Sequence, residues 1–172
     1  MILVVYGHPY PSRSRGCAAL LEAVRRVPEV EVRSLYDLYP DFDIDAAAEQ
    51  AALDRAAAVV WLAPLHWYSV PSLMKHWIDK VLMDGYAFGA GGDRLAGKPC
   101  LWATTTGGGE YAPGGEHDHR FEEFAPPIEM TARYCGMRWL EPFAVHGVAQ
   151  LSNDELAQRA RELRERLEAL GR

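Results

Sequence analysis

Three short stretches hold the residues that could do chemistry. The first is GHPYPSRS, 7–14, between an apolar run at Met1–Tyr6 and a helical pattern from Gly16 to about Val27, with Leu20, Leu21 and Val24 on one face. A buried strand entering a helix through a short Gly/Ser turn is the outline of an anion site. The first helical amides have no acceptor within the helix, and nearby hydroxyls can complete a cradle. His8, Ser12, Ser14 and Arg15 are its candidates. The turn matches neither G-x-G-x-x-G nor G-x-x-x-x-G-K-[ST], which points to a monophosphate. Cys17, one residue into the helix, reads as a small buried filler.

The second stretch is a rigid aromatic turn built from Pro64, Leu65, His66, Trp67 and Tyr68. Trp67 and Tyr68 offer a platform for a ring system, and Pro71 suits the first turn of a following helix. That helix carries Leu73, Met74, Trp77, Ile78 and Val81 in overlapping apolar stripes, with Trp77 read as core or subunit contact. The third stretch, TTTGGGEYAPGGEHDH, supplies Thr104, Thr105, Thr106, Gly107 and Gly108. Their hydroxyls and unhindered backbone can run along the edge of a planar heterocycle. Tyr111, His117 and His119 follow as candidates to donate or steer a proton beside a reducible ring; Tyr111 and His117 are the catalytic choices. No metal site is expected, because His117 and His119 lack a compact third and fourth ligand. Serine hydrolase chemistry is unsupported, since no G-x-S-x-G follows a strand.

The elements that must position these stretches alternate. Val30, Val32 and Ser34 or Leu35 mark a second strand, 46–56 a helix, and 57–64 a short continuous apolar run suited to a central parallel strand. A further strand is expected at about 99–104 and a last one within 139–147, where Pro142 marks an edge or a strand start. Ser152 and Glu155 form a capping box opening a final helix whose apolar face is Leu156, Ala160, Leu163, Leu167 and Leu170. Asp41, Asp43 and Asp45 read as a solvated connection, and the glycine-rich 84–97 as a long loop. This alternation implies a three-layer α/β sandwich on a five-stranded parallel sheet, folded as one domain over 1–172. All three stretches then fall beyond the carboxyl ends of strands, where such sheets bind ligands.

A net charge of -6, with no basic stripe, argues against nucleic-acid binding. Three widely spaced cysteines argue against a disulfide framework, and no apolar run is long enough to span a bilayer. A cytoplasmic protein is expected, peripheral to a membrane only through a protein partner.

GHPYPSRS, VVWLAPLHWYSVPSLMKHWIDKVL, TTTGGGE and ARYCGMRWLEPF together resemble the flavodoxin-like NAD(P)H quinone reductases. The likeness is greatest to the ancillary flavoprotein subunits of glutathione-regulated potassium-efflux systems. It covers the chain strongly to about residue 147. The resemblance implies a flavodoxin-like fold, FMN as cofactor, NAD(P)H as donor, a quinone or similar electrophile as acceptor, and a homodimer with sites near the subunit boundary. It also implies a potassium/proton antiporter as membrane partner, or a sensory flavin-binding subunit in place of an enzyme. On this pattern His8 and Ser14 lie near the flavin phosphate and ribityl chain, Pro64, Leu65, Trp67 and Tyr68 against the ring, and Thr105–Gly108 along its pyrimidine edge. His66 stands where the family often has glutamine, and Arg15, Gly16 and Cys17 occupy the stretch where it often has asparagine.

Overall fold

The computed structural model describes residues 1–112, 114–116 and 119–171. Its centre is a parallel sheet. Strands β1 (Ile2–Tyr6), β2 (Val30–Ser34), β3 (Ala58–Pro64), β4 (Pro99–Thr105) and β5 (Arg138–Trp139) lie in the order β2-β1-β3-β4-β5, and β6 (Phe143–Val145) also pairs with β4. The chain leaves β1 for one edge and returns to β3 on its other side, so the order reverses at β1. Ligand crevices form at such a reversal.

The last strand position is interrupted. β5 pairs with Pro99 and Cys100, and β6 with Ala103–Thr105, around a break at 140–142. Pro142 has no amide to give the ladder, and pairing resumes immediately after it. Five strand positions are therefore filled by six segments.

The helices are α1 (Gly16–Val24), α2 (Leu35–Leu38), α3 (Ala46–Arg55), α4 (Ser72–Val81), α5 (Pro126–Tyr134) and α6 (Asn153–Leu170). α1 and α6 cover one face, where Val4, Leu20, Leu62, Leu101 and Leu163 pack together. The other face packs Leu3, Trp61, Trp77 and Trp102 with residues of α3, α4 and α5. α1 is shorter than its apolar spacing predicts, because the chain turns at Arg25–Val27 ahead of Pro28. α2, a single turn, is not foreshadowed by any periodicity. Asp45 of the acidic connection caps α3, its carboxylate accepting the Ala48 amide at 3.0 Å. The Ser152–Glu155 capping box is present at α6.

Glu49 of α3 is fully buried. Its carboxylate accepts from Arg33 Nε at 2.9 Å, Tyr39 Oη at 2.6 Å and Trp77 Nε1 at 2.8 Å. A buried carboxylate is tolerable only with such partners. Trp77 is thus core, and its indole ties α4 to α3. The 84–97 loop is also anchored: Leu95 is buried, and Arg94 pairs with Asp54 at 2.9 Å. No helix of the described residues is long and apolar enough to cross a membrane.

Candidate cofactor site at the carboxyl ends of β1, β3 and β4

The first loop leaves β1 at Gly7, whose amide extends the ladder to the Leu62 carbonyl at 3.0 Å. A Cβ there would meet Met74 Cε at 3.1 Å, so α4 presses on the strand end. Pro11–Arg13 forms a 3-10 turn, and the Ser14 hydroxyl accepts the Ala18 amide at 3.1 Å. With Ala18 occupied, the earlier amides of Gly16 and Cys17 open the helix toward the loop. Gly16 is required by packing: a Cβ would lie 2.8 Å from Val148 Cγ1 and 3.1 Å from Thr105 Cγ2. Cys17 is buried, with its sulfur 3.2 Å from Thr105 Oγ1. Burial pushes its thiol up to about 12, so it stays protonated.

His8 Nδ1 accepts the Tyr10 amide at 3.0 Å. The neutral ring must therefore carry its hydrogen on Nε2. Desolvation, then the neighbouring His66, hold the His8 pKa below its usual value. At neutral pH His8 is an uncharged donor. Ser12 lies in the exposed 3-10 turn. Arg15 is engaged elsewhere: its guanidinium bonds the Val148 carbonyl and Asn153 Oδ1, the latter at 3.0 Å. It clamps the start of α1 to the entry of α6.

The second loop begins with Leu65, whose amide bonds the Thr105 carbonyl at 2.9 Å. His66 and Ser69 then exchange both backbone bonds, at 2.9 and 3.1 Å, around Trp67 and Tyr68 with φ of 49° and 62°. This is a two-residue turn that glycine and asparagine usually fill. Left-handed backbone at two aromatic residues costs about 1–2 kcal/mol each. In exchange Trp67, 86% exposed, and Tyr68, 49% exposed, project from the end of β3.

In the third loop Thr104 is fully buried at the end of β4, and its hydroxyl has no partner among the described residues. Thr105 points to the opposite face, toward Cys17. From Thr106 onward the chain pairs with 147–149. The carbonyls of Thr106, Gly107 and Gly108 accept the amides of Val148, Ala149 and Gly147 at 3.0, 3.2 and 2.9 Å. The Thr106 amide also stays in the sheet, on the Val145 carbonyl at 2.9 Å, so among the described residues the strip's remaining donors are the Gly107 and Gly108 amides. Added Cβ atoms at Gly107 and Gly109 would meet nothing within 4 Å, whereas at Gly108 one would meet the exposed Glu110 carboxylate, the side chain a close-lying ligand would displace.

The rest of this loop folds back over the aromatic turn. Phe124 lies 5.1 Å from the Tyr68 ring and 5.8 Å from Tyr111, and Tyr68 and Tyr111 are 6.4 Å apart. Partial desolvation, together with Tyr68 and Glu110, raises the Tyr111 pKa, so its phenol keeps its proton. His119 pairs with Glu123 at 2.9 Å and packs on Phe124. His117 lies outside the described residues.

The structure therefore gathers His8, Ser14, Trp67, Tyr68, Tyr111 and the 106–108 strip at one end of the sheet. Two residues that sequence reasoning missed complete it: Phe124, in the aromatic cluster, and His146, 3.3 Å from Thr106 Oγ1. His146 closes the last strand at the same sheet end, and that position was its only signal. Beyond it a cleft of about 650 Å³, lined by Phe121, Trp139, Phe143 and Arg159 among others, runs between α5 and α6. His146 also lines this cleft, so it adjoins the three-loop shelf. Among the described residues no cluster of His, Cys, Asp or Glu could hold a metal ion.

The family model of the flavodoxin-like fold matches residues 1–167. The chain belongs to that family. This flavodoxin-like chain is 51% identical over 168 residues to the glutathione-regulated potassium-efflux system ancillary protein KefF of Salmonella typhimurium, covering 97% of this chain and 95% of that one. Its fold superposes on the FMN complex of general stress protein 14 from Treponema denticola with a TM-score of 0.91, 32% identity and 98% coverage of both chains. An NADPH-quinone reductase from P. pentosaceus gives 0.85, 26% identity and 96% coverage of each. The flavodoxin-like assignment agrees with the strand order and its reversal at β1.

Proposed function

We propose that the protein is an FMN-dependent NAD(P)H oxidoreductase that reduces quinones or similar electrophiles. The observation that carries this reading is the pairing of open donors at Gly107 and Gly108 with a strained, exposed aromatic turn, both beside an anion cradle. The donor set fits FMN in all its parts. Gly16 and Cys17 amides with Ser12 and Ser14 suit a phosphate, and His8 Nε2–H adds a neutral donor. Pro64–Tyr68 suit a ring face, and within the Thr105–Gly108 stretch the Gly107 and Gly108 amides suit carbonyl and ring-nitrogen acceptors along an edge.

Bound FMN would supply the two-electron chemistry, accepting a hydride from NAD(P)H and passing it to the acceptor. The protein's own part is placement and charge. The Gly107 and Gly108 amides would serve where negative charge develops, and preorganised donors there need no reorganisation during reaction. Tyr111 holds a protonated phenol near this edge. Phe124 and Tyr68 keep water from one side while leaving space for donor and acceptor in turn. His117 is proposed as a second proton-handling residue beside Tyr111.

The test is purification without added cofactor, release and mass identification of any bound flavin, and NAD(P)H oxidation with a quinone acceptor. Bound FMN and turnover are expected; a colourless protein that does not take up FMN overturns the reading.

The 51% identity to a KefF protein favours a second role, as a cytoplasmic ancillary subunit of a potassium/proton antiporter. In that role the flavin could serve sensing alone. Tyr111→Phe separates the two: loss of turnover with retained antiporter activation leaves the regulatory role independent of catalysis. A homodimer is proposed as the working unit. Exposed Met130 and Tyr134 on α5 support this, and light scattering tests it.

A further inference from the structure

The Thr106 hydroxyl is the knot of the donor strip. It donates to the Gly108 carbonyl at 2.6 Å and accepts the Gly147 amide at 3.3 Å, with His146 Nδ1 also 3.3 Å away. A hydroxyl has one proton and two lone pairs. With the proton given to Gly108, the histidine contact is a hydrogen bond only when Nδ1 carries a hydrogen. His146 is thereby held in the opposite tautomer to His8, and in the one less common for a free histidine side chain.

We propose that His146 is a positioning residue for the cofactor edge: its Nδ1–H fixes the Thr106 hydroxyl and hence the 106–108 strip, and a proton added to its ring places positive charge behind that strip. The ring is half-buried and packs edge-on against Phe121 at 5.5 Å. Glu122, in a second 3-10 turn at Phe121–Glu123, and Arg159 on α6 face it; Glu162 lines the same cleft, and Asp154 and Glu155 line a second cleft that His146 also borders. Desolvation, opposed by Glu122 and assisted by Arg159, lowers its pKa, so the resting ring is neutral near pH 7. Protonation leaves the Nδ1–H bond intact and changes only the charge. The consequence for FMN rests on the function proposed above; the grip on Thr106 does not.

Two measurements test this. In FMN-free protein, nitrogen NMR of the His146 ring at pH 7.5 is expected to show Nδ1 protonated and Nε2 bare, with that preference lost in Thr106→Val. An Nε2–H tautomer, or one unaffected by Thr106→Val, overturns the grip. FMN titration then compares two variants. His146→Asn can set an amide donor where Nδ1 stood, whereas His146→Gln sets it nearer the place of Nε2. At pH 7.5 the Asn variant is expected to bind within about twofold of wild type and the Gln variant about three- to tenfold more weakly, the worth of one hydrogen bond. Equal losses in both overturn the positioning role. Between pH 7.5 and 5.5 the wild type should gain affinity relative to His146→Asn, and a constant ratio overturns the charge effect. If wild-type protein binds no FMN, the proposed function fails and the affinity effect with it, while the ring-nitrogen spectrum still decides the grip.

Discussion

The cradle loop at 7–15 and the aromatic turn at 66–69 stand at the ends of neighbouring strands and are built on opposite terms. The cradle relies chiefly on backbone as its binding group, and its strand and helix ends are braced: Gly7 against Met74, Gly16 against Val148, Ser14 on Ala18, Arg15 on Asn153. The turn uses side chains as its binding group and bends its backbone to present them, at φ of 49° and 62°. An anion needs amides held to a few tenths of an ångström, which packing supplies. A ring face needs area, and the chain accepts strain to expose it.

The two regions can be broken separately. The largest effect is expected in the helix that follows the turn, where Glu49 joins α3 to the indole of Trp77 on α4. Glu49→Ala strands the Arg33 side chain and two further donors, and denaturant unfolding should show a loss of about 3 kcal/mol. Glu49→Gln should lose less, since its amide oxygen still accepts either from Arg33 and Tyr39 or from Trp77, but not from both sides. In the cradle, Gly16→Val drives a side chain into Val148 and Thr105. A stability loss of about 1–3 kcal/mol is expected. FMN affinity, read by flavin fluorescence, should fall at least tenfold with it, and retained affinity would mean that the start of α1 does not hold the phosphate.

Trp67→Asn should act in the reverse sense. Asparagine accepts left-handed backbone, and an 86% exposed tryptophan loses little packing. Thermal unfolding should show a gain of about 0.5–1 kcal/mol while FMN or substrate binding weakens. The smallest effect is that of pH. His8 and His146 both have pKa values held below the usual 6.5. The unfolded chain therefore takes up protons before the folded one, and stability is full above pH 6.5 and declines as pH falls through the folded values. The melting temperature should drop on acidification from pH 7 toward 5, and less steeply in His146→Asn.

Much of this was legible in residue order, and for identifiable reasons. The apolar runs of β1, β3 and β4 each end at a loop with its own chemistry, so three strands and three candidate loops follow together. The Ser152–Glu155 box announces α6 because its mechanism is local. What stayed hidden depends on distant contacts. Nothing in LHWYS, which lacks glycine and asparagine, signals a left-handed turn. Glu49 sits in an alanine-rich helix whose sequence does not mark it as buried; only the convergence of Arg33, Tyr39 and Trp77 does. The side chain of Arg15 could have served an anion, and only the packing of α6 shows where it goes. His146 gains its role from a hydroxyl forty residues away in sequence.

The break at Pro142 has a consequence for the molecule's behaviour in a crowd. An outer strand of a sheet is a template on which another chain can add, and long flat outer strands invite aggregation. Here one edge is cut into segments of two and three residues by a residue with no amide to offer. The opposite edge, β2, carries Glu31 and Arg33 along its length. Neither margin offers a neighbouring chain a long uncharged ladder to extend, so the sheet is guarded against growth at both sides.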